Sequence, residues 1–88
     1  MNVSQKPVLL SQHAKEQSQY RGCTDEEIKE TIRTATWESA ELGRLQCRKD
    51  FIYNQQWNGK VYKTKQIRPI FAEDKDRIIV ITVYVYYF

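Results

Sequence analysis

From Arg77 to the C-terminal Phe88 the chain alternates with a period of two. Ile79, Ile81, Val83 and Val85 are aliphatic, and Val80, Thr82, Tyr84 and Tyr86 lie between them. That period marks a strand with one buried face, so the aliphatic set is expected to form core. Two runs upstream, about residues 46–57 and 60–71, also read as strands. Asn58-Gly59 between them is a strong type I′ hairpin signal, because both central residues must accept φ > 0. Residues 72–76 form a second, charged connection. The apolar run 78–85 falls far short of the roughly 20 residues needed to cross a bilayer.

Toward the N-terminus the period lengthens. Ser11 is placed as N-cap of a first helix running to about Tyr20, with Arg21-Gly22 ending it. Thr24 followed by Glu27 forms a capping box at the start of a second helix, and Cys23 with Ile28 completes a hydrophobic staple. Asp25, Glu26 and Glu27 stand at the positive end of the helix dipole, which accounts for their clustering without a metal. Ile28, Ile32 and Ala35 make the stripe that faces a sheet. Residues 38–43 read as a loop. Residues 1–10 read as a polar arm with Pro7 and a short apolar anchor, Val8-Leu9-Leu10, and residues 11–88 as a single domain. The expected fold is therefore α+β: two N-terminal helices packed on one face of a three- to four-stranded antiparallel sheet.

Composition narrows the chemistry. The 88 residues carry a net charge of +3 with a pI near 8.9, which suits a phosphate-bearing partner without demanding one. Cys23 and Cys47 have no CxxC spacing, so a reducing cytoplasm is the default and Cys23 is read as structural. One histidine and two distant cysteines do not build a zinc site. No Gly-rich phosphate loop or Ser-His-Asp arrangement is present, so no cofactor is expected. The run Val8-Leu9-Leu10 is too short for a signal-peptide core, and no membrane role is expected.

Hairpin registers extended from the two turns put Lys49, Phe51, Tyr53, Thr64, Gln66, Arg68, Thr82, Tyr84 and Tyr86 on one sheet face. In that register Tyr53 faces Thr64, Phe51 faces Gln66, Gln66 faces Thr82 and Thr64 faces Tyr84. Lys63 and Lys65 fall on the helix side. Pro69 lacks a donor, so full pairing of the middle strand is expected to stop near Arg68. Cations neutralise phosphates and aromatic rings stack on unpaired bases, so this face can bind RNA. A half-solvated surface, or one that docks a protein, has the same composition. His13, the only histidine, is either a surface residue or a proton-transfer group.

At Ser11-x-His13-Ala14, at Arg21-Gly22-Cys23-Thr24-Asp25-Glu26-Glu27-Ile28 and at Ile81-Thr82-Val83-Tyr84, the chain resembles a family of small bacterial domains of unknown function. That family is grouped with RelE- and BrnT-like toxins, in the barnase–EndoU–colicin–RelE fold of ribonucleases. The likeness covers about residues 8–86 and implies a RelE-like fold and a metal-independent endoribonuclease of a toxin–antitoxin pair. It implies His13 as general base toward a ribose 2′-OH, and Arg68, or Lys65 in another register, as the cation on the phosphorane. Thr82 would bond a phosphate oxygen, and Tyr84 would orient the substrate or protonate the leaving 5′ oxygen. Arg21, Lys49, Tyr53, Lys65, Gln66 and Tyr86 complete the expected RNA contacts. His13 has to reach around a sheet edge to join the others.

The leading expectation is thus a cytoplasmic RNA-cleaving toxin, acting on free or ribosome-bound mRNA and neutralised by a cognate antitoxin protein. A non-enzymatic module of the same fold that docks or inhibits a protein target, as ParE-like members do with gyrase, is the alternative. A homodimer joined through the aromatic face is the third reading.

Overall fold

The computed structural model describes residues 6–88. The elements run β1 (Val8–Leu10), α1 (Gln12–Arg21), α2 (Asp25–Thr34), β2 (Glu38–Ser39), a 3₁₀ turn (Glu41–Gly43), β3 (Leu45–Gln46), β4 (Lys49–Trp57), β5 (Lys60–Glu73) and β6 (Ile78–Tyr87). The expected RelE-like layout of helices followed by a three- to four-stranded antiparallel sheet is overturned. One six-stranded mixed sheet forms instead, ordered β1-β6-β5-β3-β2 with β4 also paired to β5, and strands both precede and follow the helices.

The strand that breaks the expectation is β1. Val8, Leu9 and Leu10, read as an anchor, pair in parallel with Ile78, Ile79 and Val80. The start of β6 would otherwise expose an unpaired edge, and Val8, 5% exposed, gains burial by covering it. Residues 1–5 of the expected arm lie outside the described residues. The expected loop at 38–43 supplies β2, which pairs antiparallel with β3, and the 3₁₀ turn.

Both helices begin on their caps. Ser11 Oγ accepts from Ala14 N–H, and α1 ends at Gly22 with φ +82, a left-handed turn that glycine adopts without strain. A β-carbon there would lie 2.6 Å from the Trp57 ring and 2.7 Å from the Tyr87 hydroxyl, so closeness also demands glycine. Both halves of the Thr24/Glu27 capping box form. Ile28 and Ile32 of α2 are at most 1% exposed and meet Ile67 and Phe71 of β5, while α1 lies along β6. Burying each of these side chains stabilises the fold by about 1.5–3 kcal/mol.

Two β-bulges set the faces of the sheet. In β6, Thr82 pairs with Ile70 but Val80 pairs with Phe71, which leaves Ile81 as an extra residue. The buried set is therefore Ile78, Val80 and Val83, with Val85 packed beside it, in place of the expected Ile79, Ile81, Val83 and Val85. In β4 the register slips between Ile52 and Gln55, around Asn54 at φ 49. Ile52, rather than Tyr53, then pairs with Thr64, and Phe51 pairs with Lys65 rather than Gln66. A one-residue slip reverses every side chain, so Lys49, Phe51 and Tyr53 point to the helix side.

The last turn is also placed differently from expectation. Glu73 pairs with Ile78 and the bulge at Ile81 adds one residue to β6, so Arg68 faces Tyr84 and Gln66 faces Tyr86. Pairing of β5 with β6 passes through Pro69, opposite Val83. The interruption expected at Pro69 falls on the other edge only. There β3 and β4 hold one continuous register against β5, broken across Cys47 and Arg48 where Pro69 and Arg68 lie opposite.

Candidate nucleic-acid interface

Strands β3, β5 and β6 together build a groove on the sheet face away from the core. Its floor carries Gln46, Arg68, Ile70, Thr82 and Tyr84, and its wall is the β2–β3 turn with Ser39, Ala40, Glu41, Leu42 and Arg44. The groove encloses about 610 Å³. Alternation along β5 and β6 puts Arg68, Thr82 and Tyr84 on this face, because their neighbours Ile67, Pro69 and Val83 fill the core.

Arg68 organises the floor. Its Nη1 donates to Gln46 Oε1 at 3.2 Å and its Nη2 to the Tyr86 hydroxyl at 3.0 Å. Its guanidinium carbon lies 4.9 Å from the centre of the Tyr84 ring and 5.8 Å from that of Tyr86. Its Nε is buried with no hydrogen-bond partner, so one charge-bearing donor remains free. A second cation reaches Tyr84 from the helix layer. Arg21, the last residue of α1, donates to Val83 O at 2.9 Å and sets its guanidinium 5.3 Å from the Tyr84 ring centre. Among the described residues no carboxylate pairs with either arginine.

α1 extends the line of β1 along the open edge of β6. Ser11 N–H donates to Val80 O at 2.9 Å and Ser11 Oγ to Ile81 O at 3.1 Å, while the Tyr87 hydroxyl donates to Arg21 O at 2.6 Å. His13 is exposed in the first turn of that helix and does not line the groove. It shares an i, i+4, i+8 row with Gln17 and Arg21. Gln17 Oε1 in that row is buried without a partner.

The expected RNA contacts divide between the two faces. Arg68, Thr82, Tyr84, Tyr86 and Gln66 lie on the groove side, while Arg21 approaches the Tyr84 ring from the edge without lining the groove. Gln66 is tied to Asp50 at 2.8 Å, a carboxylate that disfavours phosphate beside it. Lys49, Tyr53 and Lys65 lie on the helix side. Lys49 pairs with Glu30 at 3.8 Å. Lys65, 6% exposed, donates to Gly22 O and pairs with Glu27, both at 3.0 Å, and lies over the Tyr53 ring. Tyr53 in turn meets Tyr87 at 5.2 Å between ring centres. Lys65 is thus a structural cation, held away from the groove where Arg68 stands. Residues 39–46 of the wall and floor were not singled out from the sequence. Leu42-Gly43 is the available turn signal there, a weak one because leucine disfavours φ > 0.

Neither thiol is available as a nucleophile. Burial, reinforced by the Glu27 charge, pushes Cys23 up to about 12, and burial does the same to Cys47, also about 12. Burial and the neighbouring Tyr53 raise Tyr87 to about 12, so its hydroxyl remains a donor to Arg21 O. Among the described residues, no group of three or more His, Cys, Asp or Glu side chains is arranged to hold a metal ion. Among them, too, no helix is long and apolar enough to cross a membrane.

Fold and groove define a small mixed α/β domain whose open sheet face carries arginine, tyrosine and hydroxyl groups. The chain belongs to the DUF4258 family, a domain of unknown function that matches residues 10–85. No curated protein and no solved structure matches it.

Proposed function

We propose that the protein is a metal-independent endoribonuclease toxin that cuts RNA by attack of a ribose 2′-OH on the adjacent phosphate and is neutralised by an antitoxin protein. The observation that carries this reading is the pair of arginines, free of carboxylates, that flank Tyr84 beside Thr82. Two guanidiniums held by neutral groups keep their charge for a phosphodiester, and the aromatic ring between them fixes their positions through cation–π contact. The motif likeness to a family grouped with RelE- and BrnT-like toxins supports the same chemistry, although the expected RelE-like strand layout is not the one found.

In this mechanism His13 takes the 2′-hydroxyl proton, the O2′–P bond forms and the P–O5′ bond breaks. Arg68 stabilises the phosphorane, Thr82 bonds a non-bridging oxygen, and Tyr84 gives its proton to the departing O5′. The products are a 2′,3′-cyclic phosphate and a 5′-hydroxyl. Support for His13 comes from the edge geometry. His13 stands in the first turn of α1, two residues beyond Ser11, whose hydroxyl is bonded to the carbonyl of Ile81, the residue before Thr82. The test is incubation of purified protein with single-stranded RNA in excess chelator, alone and with ribosomes. Cyclic-phosphate ends that disappear in His13→Ala and Arg68→Ala support the reading. Intact RNA in both settings refutes it.

A second reading has its own observation. His13 does not line the groove, so the arginine–tyrosine floor can bind without cutting. Under this reading the domain docks a protein target through the groove, and His13→Ala leaves its binding unchanged.

A further inference from the structure

The groove wall carries a feature that packing does not explain. Glu41 to Arg44 form a tight turn, closed by Arg44 N–H to Glu41 O at 3.2 Å, with Leu42 at φ 60 and Gly43 at φ 72. The β4–β5 hairpin uses the same left-handed pair at Asn58 (φ 51) and Gly59 (φ 85). Asparagine tolerates that conformation because its short polar side chain bonds locally, whereas leucine crowds its β-carbon against the following carbonyl oxygen. Leu42 also gains nothing from burial, since 85% of it is exposed. A strained, solvated leucine on the rim of a basic groove contradicts both local propensity and the hydrophobic effect. Such conflicts concentrate where a ligand completes the contacts.

We infer that Leu42 is a substrate-contact residue: it packs against an unpaired base held in the groove, and so selects single-stranded RNA. The inference rests on the RNA-binding reading of the groove and names the substrate class. The lining fits that role, because Leu42, Arg68 and Tyr84 border one groove and Tyr84 is 37% exposed. An aliphatic side chain on the rim, above a floor that carries the Arg68 guanidinium stacked on Tyr84, accepts the flat face of any base. A base stacked within a duplex presents no such face, so paired RNA cannot use the slot. Arg68 and Arg21 beside Tyr84 then hold the flanking phosphates.

The test compares wild type with Leu42→Gly and Leu42→Asn, both of which relieve the left-handed strain. Affinity is measured by fluorescence anisotropy on a 2′-O-methyl oligonucleotide, which cannot be cut, as single strand and as hairpin duplex. Both variants should melt at higher temperature than wild type and bind the single strand about tenfold more weakly, with the weaker duplex binding unchanged. Raised melting temperature with undiminished single-strand affinity overturns the role of Leu42 alone. A fall of the same size on single strand and duplex overturns the selectivity. Wild type that binds neither RNA overturns the functional reading and this inference together.

Discussion

The two faces of the central sheet treat their cations in opposite ways. On the helix side, Lys65 is paired with Glu27 and Lys49 with Glu30, so their charge is spent within the fold. On the open side, Arg68 is held by Gln46 and Tyr86, and Arg21 by the Val83 carbonyl. Those partners fix position without cancelling charge. A buried lysine needs its carboxylate because desolvation otherwise disfavours the ammonium. A half-exposed arginine has no such need, and the field it leaves uncompensated is available to an anionic ligand. Charge type alone therefore does not mark an interface; the partner of each charge does.

The largest expected effect comes from removing the organising cation of the open face. Arg68→Ala should lower the rate of RNA cleavage by about 10²–10³-fold, the usual consequence of losing one preorganised charge donor. Its stability should change little, because Arg68 has no paired carboxylate to strand. Kinetics on a short RNA and a urea melt separate the two effects. An Arg68→Ala protein that unfolds but cuts normally per folded molecule would make the open face structural, like the other.

Lys65→Ala reverses the pattern. It leaves Gly22 O and the Glu27 carboxylate, which also caps α2, without their ammonium. Breaking a fully buried pair costs about 3–5 kcal/mol, and because Glu27 is 24% exposed the expected loss is nearer 2–3 kcal/mol. RNA affinity of the folded fraction should stay at the wild-type value. A loss of affinity larger than the loss of folded protein would move Lys65 to the binding face.

That division was only partly legible in the sequence. Thr82, Tyr84, Tyr86, Gln66 and Arg68 are on the expected side because the alternation from Val83 onward and the Arg68 position hold in both registers. Lys49, Phe51 and Tyr53 reversed because of a bulge at Asn54, whose tolerance of φ > 0 was the one local hint. The bulge at Ile81 left no hint at all. Residues 78–81 are apolar in every position, so either phase of a two-residue period reads as core. The parallel pairing of β1 is a long-range choice that a three-residue apolar run cannot announce.

The helix side also holds both cysteines, and their burial gives an alkaline prediction. The folded thiols lie near 12, above the ordinary value of 9.0. Folding therefore favours the neutral thiol, and that stability is fully present below about pH 9 and lost as pH climbs toward 12. One pH unit above the unfolded value, each thiol should weaken the fold by about 1 kcal/mol. Urea melts from pH 8 to 10.5 should slope downward, less steeply in Cys47→Ala. A thiol-specific reagent at pH 8 should react with neither cysteine until the protein unfolds.

The sharpest challenge to the comparison is to give the open face the chemistry of the other. Gln46→Glu replaces the neutral acceptor of Arg68 Nη1 by a carboxylate at the same place, now 3.2 Å from the guanidinium. The new pair is partly exposed, so it should add at most about 1 kcal/mol to stability. Its negative charge lies on the groove floor and partly cancels the field of Arg68, so RNA affinity should fall about fivefold to tenfold, more at low salt than at high. Gln46→Leu removes the hydrogen bond without adding charge. It should leave affinity nearly unchanged and lower the cleavage rate about threefold to tenfold through lost positioning. If both substitutions act alike, the neutral tether matters for geometry and not for preserving charge, and the contrast between the two faces loses its electrostatic meaning.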